Sequence, residues 1–456
     1  MHLTVEKIGE YCNGKVIGNA KGIVTNITID SRKVTEGSMF VAIKGERVDG
    51  HNFVQSTLEQ GAVCALVEKM PETEGTYILV ESTLQAIKDI AEEYRKTLKA
   101  KVVGITGSVG KTSTKEMVAS ILEQKYKVTK TLGNFNNEIG LPLTVFRMEE
   151  EDDIAILEMG ISDFGEMSRL TKIAKPDICI ITNIGQCHLE NLGDRDGVLK
   201  AKSEIFECMQ ENGTVILNGE DDKLTTIKNV KGVTPKFFGL EENGENFAVA
   251  KNIVDKGMEG TELTIAFEDG ESIDALIPVA GNHMVYNALA GAIAGKVLGL
   301  TNQQMKAGIE SYQSIAGRNH TIRTENFTIL DDCYNANPMS MKAAIDIISK
   351  SQGRKVAVLG DMFELGEEEL NLHGEVGEHA GKSQIDLLIC VGERSKVMAE
   401  EARKYSNKVV LHYEDREEVI GKIGSLLKKG DTILLKASHG MGFDKIVKYL
   451  EESVSG

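Results

Sequence analysis

Lys101-Val-Val-Gly-Ile-Thr-Gly-Ser-Val-Gly-Lys-Thr112 decides how this chain is read. Its first residues form a short apolar run, its middle a Gly-rich turn, and TSTKEMVASILEQ (112–124) continues as a helix. A strand that turns through glycines into a helix N-terminus makes a concave anion site, because successive backbone N–H groups converge and the helix end carries partial positive charge. Gly107 and Gly110 let the backbone approach phosphate oxygens, and Ser108 and Val109 are expected to bind the phosphates with them. Lys111 reaches the β- and γ-phosphates, Thr112 offers its hydroxyl to Mg²⁺, and Ser113 closes the first helical turn. The strict phosphate-loop pattern wants Gly at 105, where Ile105 stands, so the motif reads T-G-x-x-G-K-T. Nucleotide binding is expected.

Outward from this loop the chain keeps one rhythm. IAILE (154–158), ICIIT (178–182) and TVILN (214–218) are apolar runs with helical stretches between most of them, as in a doubly wound parallel sheet. Before the loop, short β-like runs at 39–43, 63–67 and 77–80 precede an amphipathic helix near 83–98. After Ala316–Arg318, TILDD (328–332), VAVLG (356–360), LLICV (387–391) and TILLK (432–436) again alternate with helices. The expectation is an α/β protein of three domains. These are a small α/β unit over 1–98, a central parallel-sheet nucleotide-binding unit over 99–315, and a Rossmann-like unit over 316–456. The acidic cluster Glu149–Asp153 reads as a solvated turn.

Composition narrows the function. With 456 residues the chain has room for several cores, and its net charge of −17 argues against coating nucleic acid or an anionic membrane. It has no Trp, so base-stacking platforms are not expected. The N-terminus has no signal-peptide pattern, no apolar run approaches a membrane span, and the seven scattered cysteines include no C-x-x-C pair. A cytoplasmic, monomeric protein with buried free cysteines is expected, binding no nucleic acid and inserting in no membrane.

A metal needs carboxylate help. Glu158 closes its strand at the end where ligands bind in open α/β sheets, so Thr112 and Glu158 together with ATP oxygens form a plausible Mg²⁺ set. His188 follows another strand through T-N-I-G.

Further runs keep a fixed order: TLGNFNNEIGLP (131–142), LEMG (157–160), TNIGQCHLENLG (182–193), AKSEIF (201–206), LNGEDD (217–222), GNHMVYNALA (281–290) and DDCYNANP (331–338). With TGSVGKT, this series resembles the Mur ligases of peptidoglycan synthesis, three-domain ATP-dependent amide-bond ligases related to folylpolyglutamate synthase. The NFNN and YNANP runs are most similar to the branch that adds D-alanyl-D-alanine to UDP-N-acetylmuramoyl-tripeptide. They argue against the alternatives, the branch adding the third peptide residue and a folylpolyglutamate synthase.

The resemblance implies site residues. DSRKVTEGSMFVAIKGERVDGHNF (30–53) is similar to the UDP-sugar segment, which points to Ser31, Arg32, Asp49 and His51. Asn134 and Asn137 would meet substrate. The family places a second Mg²⁺ beside a histidine and a lysine carbamate, which fall on His188 and Lys202; Lys200 is a neighbour, set aside because Lys202 precedes S-E-I-F. Lys111, His188 and Lys202 are then the catalytic set. Asn287 matches an adenine contact and His283 the histidine of the G-x-H-x-x-x-N pattern. Met284 stands where many relatives carry a second Asn. Arg318 would reach ATP from the domain boundary, and Asp332 would hold the ribose and carry the third domain onto the nucleotide. Asn335, Asn337 and LGDMFELG (359–366) should face the cleft. Relatives often show K-G-S-R where this chain has Lys436-Ala-Ser-His439, so no site is assigned there. A nucleotide-dependent switch that ligates nothing is the rival reading from another class. The split of ATP contacts across the hinge implies domain closure during catalysis.

Overall fold

The computed structural model describes residues 1–45, 48–241, 244–405 and 408–452. Residues 46–47, inside the 30–53 run, lie outside the described set.

The strand expectations convert directly. Lys101–Thr106, Ile154–Glu158, Ile178–Ile181 and Thr214–Asn218 lie side by side and parallel in a nine-stranded sheet, with Val128–Lys130 at one edge. Near-continuous apolar runs suit strands covered on both faces. The chain leaves Lys101–Thr106 for the edge strand, returns through Ile154–Glu158, then crosses to Ile178–Ile181 on the other side. Winding therefore reverses at Lys101–Thr106, and such a reversal opens a crevice at the carboxyl ends of the strands. Register brings those ends level, with Glu158 opposite Ile105 and Ile181 opposite Thr106.

The other end of this sheet departs from the sequence reading. Lys236–Gly239 and Asn246–Asp255 continue it in parallel, and Thr261–Phe267 and Ser272–Ile277 finish it as antiparallel strands. Ser272–Ile277 alternates exposed and buried residues, the period-2 signature of a one-sided strand.

The first unit has a five-stranded sheet, with Asn26–Thr28, Ser38–Val41, Cys64–Val67 and Tyr77–Leu79 parallel and Lys15–Ile17 antiparallel at the edge. The last has a six-stranded sheet in which only His320–Arg323 runs antiparallel.

Residue 98 is not a break in packing. The helix Thr83–Thr97 is capped by the Ser82 hydroxyl, which accepts from the Gln85 N–H. Ala86, Ile87, Ile90, Ala91 and Tyr94 form its buried stripe at helical spacing. That stripe packs in one cluster with Leu141, Leu143 and Val145 of the helix Gly140–Phe146 and with Met167, Leu170 and Ile173 of Glu166–Ala174. The Tyr94 hydroxyl donates to the Met148 carbonyl at 2.8 Å across this seam.

The acidic turn is less solvated than expected. Glu149, Glu150, Glu151 and Asp153 are exposed, but Asp152 is buried and accepts from the Thr129 hydroxyl at 2.7 Å and the Glu149 N–H at 2.9 Å. An aspartate that closes its own turn needs no solvent. Of the seven cysteines, six are buried, and all are free. Among the described residues no helix is long and apolar enough to cross a membrane.

Removing the hydroxyl that stitches the seam should be felt globally. Tyr94→Phe leaves the Met148 carbonyl buried and unpaired, which costs about 1–3 kcal/mol. Urea denaturation followed by circular dichroism should show the midpoint falling by that amount, with the first unit and the central sheet unfolding in a single transition.

Candidate active site

The phosphate loop is braced by the segment after the neighbouring strand. Val109 N–H donates to the Asn183 side-chain oxygen at 2.9 Å, and Asn183 Nδ2 returns a bond to the Val109 carbonyl at 3.0 Å. The Thr182 hydroxyl donates to that same carbonyl at 2.6 Å, and the Ser108 N–H donates to the Asn183 carbonyl at 3.0 Å. The Ser108 hydroxyl accepts from the Gly185 N–H at 2.8 Å and from the Cys187 thiol at 3.2 Å. Gly107, at φ +150°, passes so close to Thr182 that a Cβ would collide with its hydroxyl. Gly110, at φ +82°, turns the chain into the helix Lys111–Leu122. Ser108 and Val109 thus spend their N–H groups on bracing. The anion-facing donors are those of Lys111, Thr112 and Ser113, which by position at a helix start have no intrahelical acceptor.

Lys111 Nζ donates to the Gly107 carbonyl at 2.8 Å, and its burial pushes the ammonium below its ordinary pKa against the opposing pull of Glu158. Glu158 is 1% exposed. One carboxylate oxygen accepts from the Thr112 hydroxyl at 3.2 Å and from Asn136 Nδ2 at 2.8 Å. The other, Oε2, is buried without a hydrogen-bond partner. An orphaned carboxylate oxygen beside a threonine hydroxyl and a phosphate loop fits Mg²⁺, which takes a few protein oxygens and keeps waters and phosphate oxygens for the rest.

The second metal position is less complete. His188 adopts a left-handed backbone, and its Nδ1 lies 2.9 Å from Glu364 Oε2 in the third domain, which holds that carboxyl below its usual range. Lys202 is 1% exposed, and burial brings its amine down to about 8. No hydrogen bond to its amine is found among the described residues, and none of them forms a cluster of three or more His, Cys, Asp or Glu side chains suited to a metal. The lysine ammonium is therefore no metal ligand, and a carboxylated amine would be an oxygen donor there. Lys200 lies over the Phe164 ring.

A cleft of about 930 Å³ runs between the central and third units, lined on one side by Lys111, Thr112, Glu158, His188, Asn287 and Asn134. The facing wall carries Asp332, Tyr334, Asn335, Asn337, Lys436 and His439, and Arg318 stands at the hinge end. The Asn287 side-chain oxygen accepts from the Thr114 hydroxyl at 2.8 Å, and its amide donates to the Met284 sulfur at 3.2 Å. Met284 is buried, does not line the cleft, and instead packs its sulfur against Asn287. Asn137 caps the helix Gly140–Phe146 from its side-chain oxygen. His283 also lines the cleft, its pKa lowered by burial.

The connector between the central and third units turns through left-handed backbone. Gly317 and Asn319 both have positive φ, +76° and +49°. Between them Arg318 lays its guanidinium 3.9 Å over the Tyr334 ring. Asn319 donates from its backbone to Asp332 in the third unit and from its side chain to the Ala280 carbonyl in the central one. Asp332 is held at 2.6 Å by Lys436, itself buried. The run without an assigned site in the sequence thus supplies the group that orients Asp332.

The UDP-segment residues do not line this cleft. Arg32 is exposed and forks onto Asp30 through Nε and one terminal nitrogen, both at 2.9 Å, while Ser31 opens the same 3-10 turn. His51 has both ring nitrogens engaged: Nε2 accepts from the Glu68 N–H at 3.0 Å, so Nδ1 carries the proton donated to Asp49 at 2.7 Å. Sequence reading missed Asn136, Asn183 and Tyr334, although each lies inside a quoted run; its partner across the fold gives it a role. Glu364 falls in the run expected to face the cleft and does line it.

Three family models match in sequence order: "Mur ligase family, catalytic domain" over 23–126, "Mur ligase middle domain" over 105–295, and "Mur ligase, glutamate ligase domain" over 317–439. A UDP-N-acetylmuramoyl-tripeptide–D-alanyl-D-alanine ligase of Bacillus subtilis is 38% identical, covering 99% of this chain and 98% of the relative. The chain belongs to the Mur ligase family. An Escherichia coli relative of the same name is 35% identical over 99% of both chains. Among solved Mur ligases, MurF from Acinetobacter baumannii superposes with a TM-score of 0.90 at 29% identity, covering 99% of each chain. MurF from Thermotoga maritima in complex with ADP gives 0.82 at 30% identity, covering 94% of this chain and 98% of that one.

Lys111→Ala should lower ATP-dependent turnover by on the order of 10²–10³, the usual loss when one fixed charge facing a transferring phosphoryl group is removed. Steady-state phosphate release checks it, with an unchanged melting temperature excluding a folding defect.

Proposed function

We propose that this chain joins D-alanyl-D-alanine to UDP-N-acetylmuramoyl-tripeptide with cleavage of ATP. The observation that carries the reading is the two-walled cleft, in a chain collinear over almost its full length with ligases of that name. A carboxylate is a poor acylating agent. The tripeptide's terminal carboxylate attacks the γ-phosphorus, ADP leaves, and an acyl phosphate forms. The dipeptide amine then attacks the carbonyl, phosphate departs with the C–O bond, and the amine's surplus proton passes to solvent or a base.

Lys111 and the helix N-terminus neutralise phosphoryl charge in a dry crevice. Asn287 meets the adenine, Arg318 the phosphates, Asp332 the ribose, and Asn134 and Asn137 the incoming chain. Thr112 and Glu158 would hold Mg²⁺, and His188 with Lys202 a second ion; bound there, the metal supplies charge neutralisation on the phosphates. Lys202 supports a carbamate in two ways. It is buried without a hydrogen bond, and an amine near 8 is about a tenth neutral at pH 7, as addition of CO₂ requires. The division of labour follows the chain: 1–98 holds the UDP end through Ser31, Arg32, Asp49 and His51, 99–315 the ATP, and 316–456 closes on it and presents the dipeptide.

The test is substrate dependence. Phosphate release should require both UDP-tripeptide and D-Ala-D-Ala, with a product of the summed mass less one water by mass spectrometry. Release with neither substrate would favour the switch reading. Bicarbonate should raise activity more as pH climbs through about 8, where the Lys202 amine becomes neutral. Lys202→Ala should be nearly inactive and partly rescued by a short carboxylic acid.

A further inference from the structure

Glu158 has a neighbour that the phosphate-loop motif does not include. Lys115 lies three residues beyond Thr112 on the helix Lys111–Leu122, so both side chains leave the same face toward the strand Ile154–Glu158. It is 1% exposed, and among the largest fully buried side chains of the molecule. Its ammonium donates to the Thr131 carbonyl at 2.7 Å and pairs with Glu116 at 2.9 Å, while Glu116 also pairs with Lys130 at 2.8 Å. Glu158 Oε2 is 4.0 Å away. Thr131 joins the two: its carbonyl holds Lys115, its hydroxyl accepts from the Glu158 N–H at 3.0 Å, and its own N–H donates to the Ile156 carbonyl at 3.0 Å.

The 4.0 Å spacing is the informative quantity. A buried carboxylate oxygen with no partner is costly, and a nearby cation offsets part of that cost. At about 2.8 Å the ammonium would also occupy the oxygen's lone pair. At 4.0 Å, drawn back by Thr131 and Glu116, it gives charge compensation and leaves Oε2 open. We propose that Lys115 is a positioning residue for the metal site: it holds the Glu158 carboxylate in place at a distance that keeps one oxygen free for a divalent cation. This rests on the reading of Glu158 as a metal ligand.

Mn²⁺ titration of the full-length protein with ADP, followed by electron paramagnetic resonance, tests both levels. Lys115→Gln keeps a donor for the Thr131 carbonyl but removes the charge. It should weaken ADP-dependent Mn²⁺ binding about tenfold, leave ADP affinity in EDTA unchanged, and be partly restored in Lys115→Arg. Mn²⁺ binding as tight as in the parent, or an equal loss of ADP affinity in EDTA, overturns the proposal. Glu158→Gln separates the two readings: if it binds Mn²⁺ like the parent, the ligand assignment itself fails. If it loses Mn²⁺ while Lys115→Gln does not, only the role of Lys115 fails. Should Lys115→Gln not fold, Glu116→Ala, which removes one of the two groups drawing the ammonium back, should let it close on Oε2 and give the same selective loss of Mn²⁺, and parent-like binding there counts against the proposal.

Discussion

Burying a carboxylate that is only half satisfied is the constraint around which the cleft is arranged. Glu158 ends a central strand with one oxygen shared between Thr112 and Asn136 and the other unpaired. Such a group is tolerated because everything beside it is fixed. The strand register levels it with the phosphate loop, Thr131 pins its backbone, and Asn136 comes from a loop held down by the capped helix that follows. Loosening any of these would let the carboxylate turn to water, and the crevice would lose an acceptor held ready beside the phosphate loop.

Local chemistry was legible in the sequence, and long-range pairing was not. The loop from Gly107 to Thr112 announces itself because its glycines, lysine and threonine act within one turn of chain. The central parallel strands Ile154–Glu158, Ile178–Ile181 and Thr214–Asn218 were legible because each carries a continuous apolar run. The antiparallel strands after Asn246 were not, because alternation such as that of Ser272–Ile277 scatters the apolar signal. Asn183 illustrates the limit for the site: its role is to brace Val109, 74 positions away, and nothing in T-N-I-G marks that. Ser108 and Val109 were assigned to phosphate on the same local logic, yet their N–H groups are spent on the brace.

Asp49 and His51 teach a related lesson. A polar turn in a substrate segment invites a contact reading, but both ring nitrogens of His51 are already committed. What these bonds do within the fold is fix the turn's shape. Lys436 runs the other way, since a run that departs from the family pattern still supplies the buried cation that aims Asp332.

The uninterrupted packing across residue 98 has a mechanical consequence. A linkage of three bodies has two joints, but here the first is filled with side chains from Ile87 to Ile173 and behaves as a weld. The second, at Gly317–Asn319, is a short stretch of backbone with two positive φ angles, and Asn319 donates hydrogen bonds to both neighbours. The segment 30–53 and the phosphate loop therefore sit on one continuously packed platform. The spacing between them is set by that packing, whatever the third unit does.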